Sequence, residues 1–267
     1  GTSGLLCHHC NRRRKVPTIC PDCKGREIRF LGLGTQTVVE EVHAVVPNCR
    51  VIRWDRDSAR TNQAHREMMR KVTDGTADDI VGTQMIAKGL HLPKVTLVGA
   101  ILADVGLAVP DYRAAEHTFQ VLCQVAGRAG RGEDSGRVII QTFNPDPYSI
   151  QSAANQDFES FYQRNLPFLK KHRYPPFGLL IRLTVSHKDE IACRREATIV
   201  ASALKKSARE WGIDHVGLIG PAPSYPKRQR GLWKWQILLR GDNPRLLLDK
   251  ITLTSNWAID VDPVSTT

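Results

Sequence analysis

Two arginines separated by small residues lie at the end of an apolar-periodic run, in residues 124–131 (QVAGRAGR). In a helix, Gln124, Arg128 and Arg131 would occupy positions i, i+4 and i+7 and would project from one face. Guanidinium groups match phosphate oxygens, and small residues such as Gly127 leave room for a polyanion to approach. The pattern therefore predicts an arginine-finger element that contacts a nucleoside triphosphate. The alternative interpretation is a solvated basic helix end.

The rest of a nucleotide site is missing from the sequence. The pattern G-x-x-x-x-G-K-[ST] occurs nowhere, and residues 32–37 (GLGTQT) resemble a dinucleotide-binding loop only superficially, because its third glycine is absent. A chain with phosphate-directed arginines but no phosphate-cradling loop is typical of half a nucleotide site.

Four of the seven cysteines form two C-x2-C pairs near the start of the chain, and this spacing predicts that Cys7, Cys10, Cys20 and Cys23 bind zinc. We expect the positive charges of residues 12–15 to lower the pKa of these thiols. Such a small module has almost no core, so the metal would fold it. The spacing leaves open whether the four thiolates share one ion or are unligated. The other cysteines are predicted to be core thiols: Cys49, Cys123 and Cys193.

The composition favours a polyanionic partner. Lysine plus arginine outnumber aspartate plus glutamate by 38 to 27, which gives a net charge of +11. Nucleic acid is the first candidate, and charge alone does not separate it from an acidic protein tail or an anionic membrane. The apolar runs are shorter than the roughly 20 residues of a membrane-spanning helix. We therefore expect a soluble, intracellular protein.

Helices and strands alternate from Gly34 to about Thr142. The predicted strands are residues 50–55, 79–81, 95–102 and 137–142, and the predicted helices begin near Thr35, at Ser58 or Thr61, and at residue 114. This order predicts a parallel, doubly wound α/β layer, in which ligands lie at the carboxyl ends of the strands.

A glycine-bounded segment, residues 82–89 (GTQMIAKG), directly follows the predicted strand 79–81. Gly82 would permit close backbone approach, and Thr83, Gln84 and Lys88 would supply hydrogen-bond donors to a DNA phosphate backbone. The alternative interpretation is an ordinary strand-to-helix turn.

The C-terminal region has a different pattern. A breaker at residues 144–147 precedes an amphipathic helix over about 149–169, and the prolyl pair at 175–176 sets a boundary. The elements beyond it follow the order βαββαβ, which predicts a ferredoxin-like fold. They are strand 179–186, helix 189–211, strand 215–219, strand 233–239, helix 243–253 and strand 257–261.

A proline-rich basic loop is predicted at residues 221–231. Lys227, Arg228 and Arg230 lie there, close in sequence to Trp233 and Trp235. Cations beside aromatic rings suit single-stranded nucleic acid or an acidic peptide tail. The alternative is that the tryptophans pack inward and the charges are merely solvated.

The order GTQMIAKG, VTLVGAILADVGL and QVAGRAGR, with two upstream C-x2-C pairs and a downstream GPAPSYPKRQRGLWKWQILLRG, resembles the PriA family of primosomal replication-restart helicases. The resemblance covers essentially the whole chain and corresponds to the C-terminal half of the family. It implies a zinc module at 1–30, a second RecA-like helicase lobe at 31–148, a helical linker at 149–176 and a C-terminal α+β domain at 177–267.

The resemblance also implies a superfamily 2, three-prime to five-prime DNA helicase that uses ATP and magnesium. Residues 82–89 would be motif V and residues 124–131 motif VI, with Arg128 and Arg131 as catalytic residues at the triphosphate and with Gln124 and Gly127 in the same nucleotide site. The Walker A lysine and the acidic magnesium motif belong to a first lobe that this sequence lacks. We therefore expect no ATP hydrolysis by this chain alone.

In the family, zinc-binding cysteine pairs are interleaved, and only the last pairs occur here. Local departures from the family pattern are Leu92 and Gln36. The implied partners are forked DNA, other primosome proteins and the acidic tail of single-stranded DNA-binding protein, in the bacterial cytoplasm at the nucleoid and with no membrane partner. The candidate docking site for that tail comprises Lys227, Arg228, Arg230, Trp233, Lys234 and Gln236.

Two other functions are alternatives. The first is a non-enzymatic zinc adaptor that binds DNA or RNA through its basic surface. The second is a chorismate-like or dinucleotide-dependent enzyme, which the absence of a cofactor loop disfavours.

Overall fold

The structure of the chain is a computed structural model that describes residues 4–7, 11–26, 34–55, 57–59, 61–87, 94–130, 135–213 and 215–266. The chain divides into two compact units. The antiparallel unit comprises Gly1–Ile28, Ala108–Ala115 and Tyr162–Thr267, and the parallel unit comprises Arg29–Leu107 and Glu116–Phe161. No helix in the described ranges is both long and apolar enough to cross a membrane.

The chain begins with a short antiparallel pair, β1 (Gly4–Leu6) and β2 (Arg13–Lys15), in which Gly4 faces Lys15. The alternating elements that follow are α1 (Thr35–Val45), β3 (Val51–Trp54), α2 (Asn62–Thr73), β4 (Asp79–Gly82), α3 (Gln84–Ala87), β5 (Leu97–Ala100), α4 (Asp104–Leu107), α5 (Ala114–Ala126) and β6 (Arg137–Ile140).

The predicted alternation of helices and strands is confirmed, and the strand pairing is parallel. The described strands form two separate pairs, β3–β4 and β5–β6, rather than the single doubly wound sheet that we predicted. The strands of both pairs are four residues long; β3 and β4 each bury one residue, and β5 and β6 alternate exposed and half-buried residues. The fold class is therefore mixed α/β, and the RecA-like assignment stays a prediction.

Asp55, directly after β3, connects that strand to α1. It accepts hydrogen bonds from the backbone N–H groups of Asp57 (3.0 Å) and Ser58 (2.8 Å) and from the hydroxyl of Thr35. These bonds, the one from Thr35 above all, lower the pKa of Asp55 to about 2 although burial opposes ionisation. Thr35 was predicted to cap α1, but the N-cap residue is Gly34. The predicted cap Thr61 of α2 is confirmed by its bond to Ala64 N–H at 3.1 Å.

Asp104 has the same role after β5. Its carboxylate accepts from the hydroxyl of Thr142 (2.8 Å) and from the backbone N–H groups of Phe143 (3.0 Å) and Asn144 (3.1 Å), which follow β6. Burial raises the pKa of Asp104, but these hydrogen bonds outweigh burial and lower the pKa below its usual value. The carboxyl ends of β5 and β6 are thereby held together.

Two helices, α6 (Tyr148–Ala154) and α7 (Phe158–Lys171), occupy the region of the predicted helix 149–169. Asn155, in an αR conformation, ends α6, and the N–H groups of Gln156 and Asp157 bond back to its last carbonyls. The amphipathic pattern was therefore read correctly as helical, but the interruption was missed.

The C-terminal elements are β7 (Leu179–His187), α8 (Glu190–Glu210), β8 (Gly217–Gln229), β9 (Leu232–Gly241), α9 (Arg245–Leu248) and β10 (Trp257–Val261). The predicted order βαββαβ is confirmed, and the antiparallel sheet has the strand order β10-β7-β9-β8. The second helix is shorter than the predicted 243–253. The predicted loop 221–231 is wrong: these residues complete β8 and its hairpin with β9.

One face of this sheet packs on α8. Four residues on one face of α8, spaced three or four positions apart, are buried. They are Cys193, Ala197, Ala201 and Leu204. They meet alternate residues of the central strands: Ile181, Leu183, Val185, Trp235, Ile237 and Leu239. Burial raises the pKa of the Cys193 thiol to about 11, so its assignment as a core thiol is confirmed. Cys49 and Cys123 are only half-buried.

Candidate functional site

The arginine segment 124–131 is not one continuous helix. Helix α5 ends at Ala126, and Arg128 lies in the turn that follows. The N–H of Gly127 still bonds to Cys123 O (2.9 Å), whereas that of Arg128 bonds only three residues back, to Val125 O (3.0 Å). The predicted helical spacing of Gln124 and Arg128 is therefore wrong. Gln124 is exposed and Arg128 half-buried, and Arg131 lies outside the described residues.

This turn is fixed to the strands at its base. The N–H of Gly130, whose φ is +68°, donates to Val95 O at 3.0 Å, just before β5. A Cβ on Gly136, just before β6, would lie 2.2 Å from Gly130 N, so only glycine fits there. The turn that carries Arg128 thus lies at the amino ends of β5 and β6. We had expected ligands at the carboxyl ends, where Asp104 lies instead.

Gly82, the first glycine of residues 82–89, is the last residue of β4 and has a structural role. A Cβ on Gly82 would lie 2.2 Å from the carbonyl oxygen of Trp54, the residue paired with it across β3–β4. Gly82 therefore lets the backbones of β3 and β4 approach each other. Thr83 and Gln84 follow at the carboxyl end of β4 with exposed side chains. Lys88 lies outside the described residues, so the predicted DNA contact stays a prediction.

The two C-x2-C segments form turns with the same hydrogen bonds. Cys20 N–H donates to Gly25 O (2.8 Å) and Lys24 N–H donates to Cys20 O (3.1 Å). Likewise Cys7 N–H donates to Arg12 O (2.9 Å) and Asn11 N–H donates to Cys7 O (2.8 Å). The residue after each pair, Asn11 or Lys24, has a φ near +60°. The first turn connects β1 to β2.

The turn at Cys20 favours a thiolate. The backbone N–H groups of Cys23 and Asp22 donate toward Cys20, and these bonds lower the pKa of the Cys20 thiol against the effects of burial and of the Asp22 charge. A turn that aims N–H groups at sulfur suits a metal-bound thiolate.

The thiols are therefore chemically suited to zinc. Among the residues that it describes, no three His, Cys, Asp or Glu side chains are grouped closely enough to hold a metal ion. Cys10 lies outside the described residues.

The basic residues of the predicted docking site lie on the β8–β9 hairpin. Arg230 and Gly231 form its tip with φ values of +51° and +81°, as two-residue hairpin turns require. Trp233 is half-buried beneath two cations: Lys227 Nζ lies 5.0 Å and Arg228 Cζ 5.3 Å from its ring centroid. The structure brings these cations and this ring together as predicted.

The other residues of that prediction have internal partners. Trp235 is buried in the sheet core, as the alternative interpretation held, and the amide of Gln236 is buried and donates to Thr266 O at 3.0 Å. Lys234 Nζ donates to Gln229 Oε1 at 2.6 Å. Gln236 is therefore a structural contact to the C-terminal segment, and Lys227, Arg228 and Arg230 are the exposed members of the set.

Sequence reasoning missed two aspartates that form hydrogen bonds at strand ends of the parallel unit. Asp55 and Asp104 each come just after an apolar strand, and this position is the signal that could have found them. Their partners, such as Thr35 and Thr142, are 20 and 38 residues distant, so the sequence pattern does not identify them.

Comparison with known proteins agrees with these features. Residues 170–264 match the family described as Primosomal protein N C-terminal domain. The chain is 43% identical over 236 residues to Replication restart protein PriA of Bacillus subtilis, covering 88% of the chain and 29% of that protein. It is 38% identical over 268 residues to the Synechocystis protein of the same name (98% and 32%) and 38% identical over 270 residues to that of Treponema pallidum (98% and 40%).

The chain therefore spans about a third of the length of these relatives. The matches cover nearly the whole chain, and they include the region of the βαββαβ sheet. The chain accordingly belongs to the family of the replication restart protein PriA and corresponds to its C-terminal part.

Proposed function

We propose that this chain is the C-terminal part of an ATP-dependent, three-prime to five-prime DNA helicase that recognises forked DNA and restarts stalled replication through primosome assembly. The observation that carries the proposal is its similarity, at 38–43% identity over 88–98% of the chain, to proteins named for replication restart.

The parallel unit would supply the second helicase lobe. Arg128 and Arg131 would contact the triphosphate of magnesium-bound ATP, beside Gln124 and Gly127, once a first lobe presents that nucleotide. Arg128 supports this role because its turn is fixed by Gly130 and Gly136 to the ends of β5 and β6. A guanidinium on a fixed turn can stabilise developing charge without reorganisation.

DNA would pass the carboxyl end of β4. Thr83 and Gln84 are exposed there and follow the close contact of Gly82 with β3, so their side chains can reach a phosphate backbone. Lys88 would add a positive charge to the same contact. The net charge of +11 favours this partner.

Zinc would be held by Cys7, Cys10, Cys20 and Cys23. The matching turns and the lowered pKa of the Cys20 thiol support this assignment. When bound, the metal would crosslink a segment whose described residues are mostly exposed. It would be structural rather than catalytic.

A protein partner would bind the β8–β9 hairpin. The acidic tail of single-stranded DNA-binding protein is our candidate, because Lys227, Arg228 and Arg230 are exposed beside Trp233. Other primosome proteins would complete the assembly at the nucleoid in the bacterial cytoplasm.

The test is Arg128→Ala in a chain that includes the first lobe. We expect DNA-stimulated ATP hydrolysis to fall about 10³-fold, as for other arginine fingers, while DNA binding is retained. Arg137→Ala, which removes an exposed arginine at the start of β6, is the matched control and should leave hydrolysis unchanged. Unchanged hydrolysis in the Arg128 variant would contradict the helicase assignment.

The second candidate is a non-enzymatic zinc adaptor for DNA or RNA, which the paired cysteine turns favour. Metal analysis of the purified chain separates the possibilities for zinc. One zinc per chain means that the four thiolates close one site, and none means that the cysteines depend on partners elsewhere. Zinc binding together with unchanged hydrolysis by Arg128→Ala would support the adaptor.

A further inference from the structure

A basic cavity lies in the antiparallel unit, apart from every residue assigned above. Lys171, His172, Arg173, His215 and Arg240 line it together with Gly217. Three of these side chains are permanently positive, and Asp242 offsets part of that charge through a 3.6 Å contact with Arg173. The cavity is open to solvent at its mouth, so an anion could enter it directly.

Arg173 is held in this cavity by an unusual backbone conformation. Its φ is +50°, in the left-handed region that favours glycine. The position ends α7 with the bonds of a Schellman motif, Tyr174 N–H to Leu169 O (2.9 Å) and Arg173 N–H to Lys170 O (3.1 Å). Glycine would be more stable here. The left-handed conformation at Arg173 fixes the direction in which its side chain leaves the helix end.

The surrounding backbone keeps Arg173 in place. A Cβ on Gly178 would lie 2.5 Å from Arg173 O, so the chain after the helix packs directly on this residue. The Arg173 guanidinium also donates to His215 O at 3.4 Å. These contacts therefore fix the backbone of Arg173 at the rim of the cavity.

Arg240 is oriented by an aromatic ring. Its Cζ lies 4.6 Å from the centroid of Tyr174, which is buried and stacks on Tyr112 at 5.1 Å. A guanidinium in contact with a ring can still donate its N–H groups to a second partner. Arg240 faces Gly217 across β8–β9, and the absence of a side chain there leaves room for a ligand.

An exposed aromatic ring adjoins the cavity. Phe168 is 40% exposed, and its ring centroid lies 4.7 Å from that of the cavity residue His172. Exposed rings beside cations suit a nucleotide, whose base can stack while its phosphate binds arginine. A base must be unpaired to stack in this way, so the exposed ring beside the cations favours single-stranded nucleic acid.

We infer that this cavity binds a phosphate of single-stranded nucleic acid, with a neighbouring base stacked on Phe168. The inference rests on the proposed function as a DNA-binding protein and adds a contact in the antiparallel unit. It requires none of the residues proposed to contact ATP, zinc or the DNA at β4.

The test measures binding of the whole chain to a labelled oligothymidylate by fluorescence anisotropy over a range of salt concentrations. Arg173→Gly should weaken binding roughly tenfold and lower the salt-dependence slope by about 1, because one phosphate contact is lost. The same variant should melt no lower than the parent chain, because glycine suits the backbone. Arg195→Ala, which removes an exposed arginine of α8, should bind like the parent.

The Phe168→Ala variant tests base stacking separately from phosphate binding. It should weaken binding of the oligothymidylate roughly fivefold or more and leave binding of an abasic oligomer unchanged. Binding of an acidic peptide in preference to either oligomer would overturn the inference in favour of a protein partner.

Parent-like binding by Arg173→Gly would also overturn it, and the ATPase test with Arg128→Ala would be unaffected. Failure of the parent chain to bind the oligothymidylate likewise overturns the inference, and the ATPase test then decides the helicase proposal by itself.

Discussion

The two units are stabilised in different ways. In the antiparallel unit, the central strands bury Leu183, Ile237 and Leu239 completely against α8. In the parallel unit, the exposed fraction is 59% for Leu97 and 52% for Ile139, both on short strands. That unit also has carboxylates at strand ends, Asp55 and Asp104, which accept several hydrogen bonds. The comparison teaches that apolar area dominates the antiparallel sheet, whereas polar contacts at strand ends add to a smaller buried apolar area on the parallel strands.

The largest expected effect is in the sheet core. Leu183→Ala should lower the free energy of unfolding of the antiparallel unit by about 2–5 kcal/mol, because it removes fully buried methyl groups and leaves a cavity. Denaturant unfolding followed by tryptophan fluorescence measures this loss, since Trp235 is buried in the same core. The control is Ile259→Ala on β10, whose side chain is 50% exposed. Equal losses in both variants would contradict the proposed core.

Asp55→Asn should have a smaller effect, confined to the parallel unit. The substitution keeps one oxygen as an acceptor and weakens the bonds that the carboxylate accepts, so we expect a loss of about 1.5–3 kcal/mol in total. Hydrogen exchange should show faster opening of α1 and β3, with the amides of β7 and β9 unchanged. Asp146→Asn alters an exposed carboxylate of the same unit and serves as control. Slower exchange in β3, or faster exchange in β7, would break the contrast between the units.

Acid should affect the parallel unit first. The pKa of Asp55 is about 2 in the folded chain against 3.8 ordinarily, and that of Asp104 is also lowered. A carboxylate with a depressed pKa stabilises the fold above its ordinary pKa, and the contribution is lost as the pH falls toward 2. Exchange in α1 and β3 should therefore rise between about pH 4 and pH 2 before exchange in β7 rises. Simultaneous loss in both units would contradict the comparison.

The smallest effect concerns a polar contact within the antiparallel sheet. Arg182 and Asp260 form an ion pair at 2.7 Å between β7 and β10, and the Asp260 side chain is 46% exposed. Asp260→Asn should cost less than about 1 kcal/mol, as partly exposed ion pairs usually do. Denaturant unfolding of this variant beside Leu183→Ala measures the ratio directly. A cost comparable to that of Leu183→Ala would mean that charges, too, hold the sheet.

The sequence was most informative where spacing alone decides geometry. Two C-x2-C pairs predicted two tight turns, and the turns at Cys7 and Cys20 have matching hydrogen bonds. The alternation of apolar residues in β7 and β9 also predicted the βαββαβ order, because strands with one buried face repeat every second residue.

Prediction failed where distant contacts override local preference. Apolar periodicity extended α5 through Arg128, but Gly130 bonds to Val95 and ends the helical pattern early. The prolines at 221, 223 and 226 predicted a loop, but β8 is an edge strand with two register shifts, and an edge tolerates residues without N–H donors. The cavity around Arg173 and Arg240 is lined by residues from three separate segments, so no local sequence pattern predicts it.

The placement of β8 has a consequence for association between molecules. An exposed edge strand can form hydrogen bonds with a strand of another chain, and this pairing is a common route to aggregation. Along this edge, prolines remove some amide donors, two bulges disturb the repeat, and positive side chains cluster near the tip. The same features that hid the strand from prediction should therefore keep the sheet from extending into a neighbouring copy.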